Sequence, residues 1–305
     1  MEDTPSTVGP WAKEKLECLR KYLEAYTTIM AKQTSWCDGF VFVDAFAGPG
    51  HHLVRQAAKN HDSQLFLAEL TDYQAADSGQ KEYIDGSPRI ALNVKRPFTK
   101  YYFTELDPAR LQFLRSLKGE FEGKRNIEVL PVDCNNFLVK QFIPRYNWRK
   151  WRAVVFLDPF GKQVPWATIE QLSKTGAVEI FLNLPVWMAI QRFLKRHGEF
   201  NDSERHALDV YFGTKEWATV FYTNISQQNL FGDGISRLKS KVSNSGPLLV
   251  RWYRSRLKQL FAHVSSARLI KSARGRNLYC LIHAAHNPKG GKIANAILRQ
   301  GEVIE

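Results

Sequence analysis

Apolar positions near the start of the chain follow two different periods. Between Trp11 and Met30 they recur every three or four residues, at Leu16, Leu19, Leu23, Tyr26 and Met30, which predicts a helix with one buried face. From Gly39 the pattern becomes a continuous apolar run, Phe40-Val41-Phe42-Val43, ending at Asp44. That run predicts a buried strand, and Gly48 and Gly50 in the loop behind it let the backbone turn sharply and approach a ligand closely. Four further runs have the same character: Lys100–Thr104 before Glu105-Leu106-Asp107-Pro108, Asn126–Val132 before Asp133, Arg152–Leu157 before Asp158, and Gly176–Leu184 before Pro185. Helical stretches lie between them, including one opened by Pro108 with Leu111, Leu114 and Leu117 on its apolar side. Strands alternating with helices at this spacing predict βαβ units and a mostly parallel, doubly wound α/β sheet of the Rossmann-like kind.

The remaining pattern sets the domain boundaries. Residues 1–38 form a helical extension and 39–185 the Rossmann-like core. Residues 51–85 interrupt that core as a polar insertion or lid, with one apolar patch at Leu65–Ala68, and a helix starts after it with Ser87 as its cap and Pro88 in its first turn. Residues 186–247 read as a basic helical subdomain. Residues 248–305 return to the core as a helix, a closing antiparallel hairpin (Ala267–Lys271 and Leu278–Ala284) and a last helix.

Composition changes this picture in two places. The net charge of +13 is uneven, because Val186 to Glu305 holds 19 Lys/Arg against 8 Asp/Glu. A basic half implies a polyanionic partner, nucleic acid first, and Arg251, Arg254, Arg256, Arg274 and Arg276 are its candidate phosphate contacts. His51 and His52, at the root of the insertion, are candidates to touch a substrate. The four cysteines, Cys18, Cys37, Cys134 and Cys280, lack any metal-ligand spacing, so reduced thiols and no metal site are expected. No apolar stretch approaches the length of a membrane span and the N-terminus lacks a signal-peptide core, which makes the cytoplasm the expected location and excludes a membrane partner.

Parallel strands bring Asp44, Glu105, Asp133 and Asp158 to one edge of the sheet. Carboxylates there suit ribose hydroxyls, amines and cationic ligands, each of which donates hydrogen bonds. A GxGxxG dinucleotide loop starting at Gly48 would need glycine where Leu53 stands, and no GxxxxGK[ST] run exists, so nicotinamide and ATP chemistry are disfavoured.

These residues resemble a known pattern. Asp44-Ala45-Phe46-Ala47-Gly48-Pro49-Gly50 is similar to the first motif of class I S-adenosylmethionine-dependent methyltransferases, Glu105–Pro108 to their second and Val132-Asp133 to their third. Asp158-Pro159-Phe160-Gly161 resembles the fourth, the Asp/Asn-Pro-Pro-Tyr/Phe motif of enzymes that methylate exocyclic amines, and departs from it at its last two positions. The Asp-Pro-Phe-Gly form is like that of transfer-RNA guanine-N2 dimethyltransferases. Over nearly its whole length the chain most resembles the bacterial three-Cys-motif partner proteins, named for a neighbouring protein with a three-cysteine motif.

The resemblance implies S-adenosylmethionine as cofactor. The loop from Asp44 through Phe46, Gly48 and Gly50 would pass beneath its methionine part; Glu105 would accept from both ribose hydroxyls, Leu106 would pack on the adenine, and Asp133 would accept from the adenine amino group. Asp158 and the Pro159 carbonyl would orient a target amine, and Phe160 would stack on a planar base. Three functions follow as expectations: a methyltransferase acting on a nucleic-acid base, a non-catalytic methyltransferase-like protein that binds the three-cysteine-motif neighbour, and a small-molecule methyltransferase. The last leaves the basic half without a purpose.

Overall fold

The structure is a computed structural model that describes residues 7–8, 11–54, 82–228 and 235–305. The Leu65–Ala68 patch and most of the insertion lie outside the described residues. Five parallel strands form the centre of the main sheet: β1 (Gly39–Asp44), β2 (Lys100–Thr104), β3 (Ile127–Leu130), β4 (Trp151–Leu157) and β5 (Val178–Leu184). A hairpin of β6 (Ala267–Lys271) and β7 (Asn277–Ala285) joins through β7, which runs antiparallel to β5. The order across the sheet is 3-2-1-4-5-7-6, and Val303–Ile304 extends its β6 edge. The winding therefore reverses between β1 and β4, and the crevice at the carboxyl ends of those two strands is where an open α/β sheet holds a ligand.

Alternation along the strands divides the core into two layers. Phe42, Phe103, Val154, Phe156 and Phe181 face α1 (Trp11–Met30), α2 (Ser87–Leu92), α3 (Pro108–Glu120) and, near the end of the chain, Pro288–Leu298. Val41, Val43, Tyr102, Val155 and Leu182 face α4 (Trp166–Lys174), α5 (Asp202–Phe212) and α6 (Ser245–Leu260). Asp44, Glu105, Asp158, Asn183 and Tyr279 each fall an even number of residues from a strand position on the α1 side, so the rim acids rise on the layer that α1 covers. Helix α1 is anchored there by buried polar groups: Tyr22 donates to Glu179, and His283 Nε2 lies 2.8 Å from the Tyr22 hydroxyl and 3.2 Å from Glu179 Oε2.

Three expectations need correction. The insertion does not break the glycine loop from the helix behind it. Its ends pair as antiparallel strands, His51–Val54 with Glu82–Asp85, and the Gly86 amide donates to the Gly50 carbonyl at 2.9 Å, so α2 follows Gly50 directly in space. Gly86 rather than Ser87 is the N-cap of α2, and Ser87 instead sits buried near Asp44. Within the basic subdomain, Tyr222–Gln228 and Ile235–Lys241 form a two-stranded antiparallel ribbon apart from the main sheet, not helices. All four cysteines are free, and no helix among the described residues is long and apolar enough to cross a membrane.

Candidate active site at the sheet's switch point

Hydrogen bonds across the strand ends hold the first loop in place. The Ala45 amide donates to the Phe156 carbonyl at 3.0 Å, the Ala47 amide to the Thr104 carbonyl at 3.1 Å, and the Thr104 hydroxyl to the Ala45 carbonyl at 2.8 Å. Gly48 and Gly50 then take left-handed backbone angles, φ 60° and 83°, that glycine adopts without strain. Asp44 is fully buried. Its Oδ1 accepts from the Phe46 amide at 3.2 Å, whereas its Oδ2 has no hydrogen-bond partner among the described residues. Burial pushes its pKa up to about 7, and the Asp158 charge adds to that rise. The nearby Ser87 hydroxyl, the Phe46 amide and Lys15 pull it back.

Glu105 ties the first loop to the second. Its Oε2 accepts from the Gly48 amide at 3.1 Å, and its Oε1 from the Leu106 and Asp107 amides at 2.8 and 3.0 Å. With two donors on Oε1, only Oε2 keeps an open lone pair, enough for one ribose hydroxyl rather than two. Asp107 caps α3 by accepting from the Ala109 and Arg110 amides. Asp133 caps the next helical turn through Oδ1, at 2.8 Å from the Asn136 amide, and its other oxygen meets only a long contact of 3.5 Å from Asn135.

The fourth motif sits across the crevice. One Asp158 oxygen accepts from Asn183 Nδ2 at 2.6 Å and the other pairs with the Lys15 ammonium, which α1 carries to the rim. Pro159 is buried. The loop beyond is pinned: the Phe160 amide donates to Gln163 Oε1 at 2.7 Å, and Asn135 donates to the Gln163 carbonyl at 2.9 Å. Two large apolar side chains stand open at this rim, Leu106 at 64% and Phe160 at 70% exposure, with the Arg110 guanidinium 5.9 Å from the Phe160 ring centre. Beside Gly161 lies Phe193, whose ring carries the Lys162 ammonium 4.5 Å from its centre.

The structure therefore places Asp44, Phe46, Gly48, Gly50, Glu105, Leu106, Asp158, Pro159 and Phe160 at the carboxyl ends of adjacent strands β2, β1 and β4, with Asp133 at the end of the outer strand. His51 and His52 lie on the insertion's first strand, opposite Asp85 and Ile84; their side chains lie outside the described residues. Among the arginines, Arg274 and Arg276 are exposed at the β6–β7 tip. Because Cys280 pairs with Leu184 and Ala284 with Ile180, that tip lies at the carboxyl end of β5, on the site's own edge. Arg251 is exposed on α6.

Arg254 and Arg256 are engaged within the fold. Arg254 is buried, donates to the Ser265 and Ile304 carbonyls at 3.0 and 3.1 Å, and burial holds its pKa down. Arg256 donates to the Phe212 carbonyl and lies 3.9 Å over the Trp166 ring, so its charge is spent on packing.

Sequence reasoning missed Lys15, Asn183 and Tyr279. Two left a trace: Lys15 extends the buried stripe of Leu19, Tyr22 and Tyr26 by one turn, and Asn183 is a polar residue in a mostly apolar strand.

The residues fit an adenosyl cofactor by their own chemistry. A glycine turn runs beside an acid with an open lone pair, an exposed leucine and a second acid follow, and a buried carboxylate oxygen is left without a partner. No group of three or more His, Cys, Asp or Glu placed to hold a metal exists among the described residues.

No family model matches the chain, and no curated protein does. Among solved structures it is similar to protein LPL1258 from Legionella pneumophila, with 16% identity over 88% of this chain and 96% of that one and a TM-score of 0.40. It is also similar to the putative methyltransferase YhhF from Escherichia coli, with 14% identity over 73% and 86% of the two chains and a TM-score of 0.29. A third is the magnesium protoporphyrin IX methyltransferase of Synechocystis PCC 6803 with bound S-adenosylmethionine, with 7% identity over 76% and 84% and a TM-score of 0.31. Likenesses this distant carry no weight for activity, which rests on the chain's own residues.

Proposed function

We propose that the chain is an S-adenosylmethionine-dependent methyltransferase acting on an exocyclic amine of a nucleic-acid base. The observation that carries this is the pairing, at the switch point, of a fixed carboxylate with exposed apolar side chains: Asp158 held by Asn183, Phe160 two residues on, and Leu106 at the end of β2. When bound, the cofactor supplies a methyl group on a sulfonium, an electrophile that needs only a well-placed lone pair. Glu105 and Asp133 hold hydroxyl and amino donors of the adenosyl group, and Leu106 covers its adenine. Asp158 and the Pro159 carbonyl accept the N–H groups of the target amine and so aim its lone pair; Phe160 supports the base plane. Positioning of this kind contributes up to about 7–11 kcal/mol to a bimolecular barrier. A base in a duplex has to leave the stack to reach Asp158, and the exposed Arg274 and Arg276 on the same edge suit the backbone around it.

A second reading draws on a different observation. Lys15 already occupies Asp158, as it would in a methyltransferase-like protein that binds its three-cysteine-motif neighbour and does no chemistry.

One experiment separates the readings. The protein is incubated with labelled methyl donor and total RNA, DNA or protein, alongside Asp158→Asn and Glu105→Ala. We expect label in nucleic acid, lost in Asp158→Asn while the tail-free 5′-methylthioadenosine still binds, and thermal stabilisation by the cofactor lost in Glu105→Ala. Cofactor binding without label in any fraction selects the non-catalytic reading; label in protein or small molecules only overturns the nucleic-acid substrate.

A further inference from the structure

Four buried side-chain polar atoms lack a hydrogen-bond partner among the described residues: Asp44 Oδ2, Asn183 Oδ1, the Tyr279 hydroxyl and His283 Nδ1. The first three lie on neighbouring strands, on the layer where Lys15 meets Asp158. Asn183 holds Asp158 through its amide nitrogen, which leaves its carbonyl open beside that carboxylate. The Tyr279 ring lies under the Lys15 ammonium, 5.7 Å from ring centre to nitrogen. Asp44 feels the charges of both Asp158 and Lys15. Strands β1, β4, β5 and β7 thus each carry a polar group on the layer, and at the end, where Lys15 reaches Asp158 from α1.

Unpaired buried polar atoms are costly and ordinarily scattered, so three around one ion pair mark a place built for something else. The chemistry of the cluster says what. Two carboxylates, an amide carbonyl and a phenol make a set dominated by acceptors, and an ammonium or amine, with up to three N–H donors, satisfies it. Lys15 brings such a group on a flexible four-carbon stem. Its side chain is 14% exposed and that of Asp158 21%, so the ammonium has a path to solvent without displacement of α1.

We propose that Asp44, Asp158, Asn183 and Tyr279 form an ammonium subsite, that Lys15 is its internal occupant, and that a ligand amine takes the place of Lys15 when the site fills. The inference rests on the adenosyl-binding reading above. The amine has two sources with the same chemistry: the α-ammonium of the cofactor's amino-acid end, or the amine of the target base.

Binding by calorimetry to wild type, Lys15→Met and Lys15→Arg tests it with three probes. These are 5′-methylthioadenosine, which carries no tail amine; S-adenosylhomocysteine, which carries the α-amine; and sinefungin, which adds an amine at the transferred-methyl position. Removal of the competing cation tightens amine-bearing probes by about fivefold or more, while 5′-methylthioadenosine is unchanged and Lys15→Arg behaves as wild type. A gain that begins at S-adenosylhomocysteine assigns the subsite to the cofactor; one seen only with sinefungin assigns it to the target amine. Equal or weaker binding of all amine probes to Lys15→Met overturns the proposal, because Lys15 then merely positions Asp158. Loss of all three probes from every protein, wild type included, overturns the adenosyl reading beneath it. Should Lys15→Met unfold, Asp158→Asn serves instead, and it is expected to abolish the preference for amine probes over 5′-methylthioadenosine.

Discussion

Asp44 responds to pH in the opposite sense from a paired surface acid. Its pKa is about 7 in the fold against an ordinary value of 3.8, chiefly because burial penalises the charged form. Between those two values the folded chain holds a proton that the unfolded chain has released. Its contribution to stability is therefore intact below about pH 4, declines by up to about 1.4 kcal/mol per pH unit toward pH 7, and is lost above that. Asp44→Asn removes the titration, so the melting temperature of the variant relative to wild type should rise from pH 5 to pH 8. Thermal unfolding at the two pH values checks this, and a constant difference would mean that Asp44 stays ionised throughout. The position of Asp44 at a strand end was legible from the apolar run before it. Its burial was not, since that depends on Ser87, forty-three residues later, and on α1.

At the scale of elements, apolar runs, four of them ending in acids, gave all five parallel strands, because a strand covered on both faces has no polar alternation to confuse the reading. The ribbon Tyr222–Gln228 with Ile235–Lys241 escaped notice for the converse reason. Its sequence is largely polar, so no apolar period of two marks it in the chain. The insertion misled in another way. A long polar stretch after Gly50 reads as a break, yet the backbone closes it at once: a Cβ on Gly86 would sit 2.9 Å from the Gly50 carbonyl carbon. That contact is backbone against backbone and has no side chain to yield. Gly86→Ala should therefore push the first loop from its place and lower stability by about 1–3 kcal/mol, with weaker cofactor binding as a second effect. Denaturant unfolding measures the first; stability unchanged within error would show that the seam between Gly50 and Gly86 opens freely.

Over the whole molecule, the basic charge of the C-terminal half divides into two populations with different work. Arg254 and Arg256 are engaged inside it, holding the chain's last residues and the tryptophans of α4 and α6, whereas Arg274 and Arg276 are solvent-exposed on the edge that bears Asp158. Net charge read from composition cannot make that division, because periodicity places a long basic side chain on a helix without saying whether its head reaches a carbonyl or water. The two populations differ in a measurable way. Each phosphate contact releases counterions and steepens the fall of affinity with salt, by about 0.7 per contact in log–log slope for a single strand. Replacing both Arg274 and Arg276 with Ala should weaken RNA or DNA binding and flatten that slope by about one to one and a half. Arg254→Ala should instead lower the melting temperature, by leaving the Ser265 and Ile304 carbonyls without their donor, and leave the slope of the remaining folded protein unchanged. If wild-type binding is already flat with salt, the edge does not meet a nucleic-acid backbone.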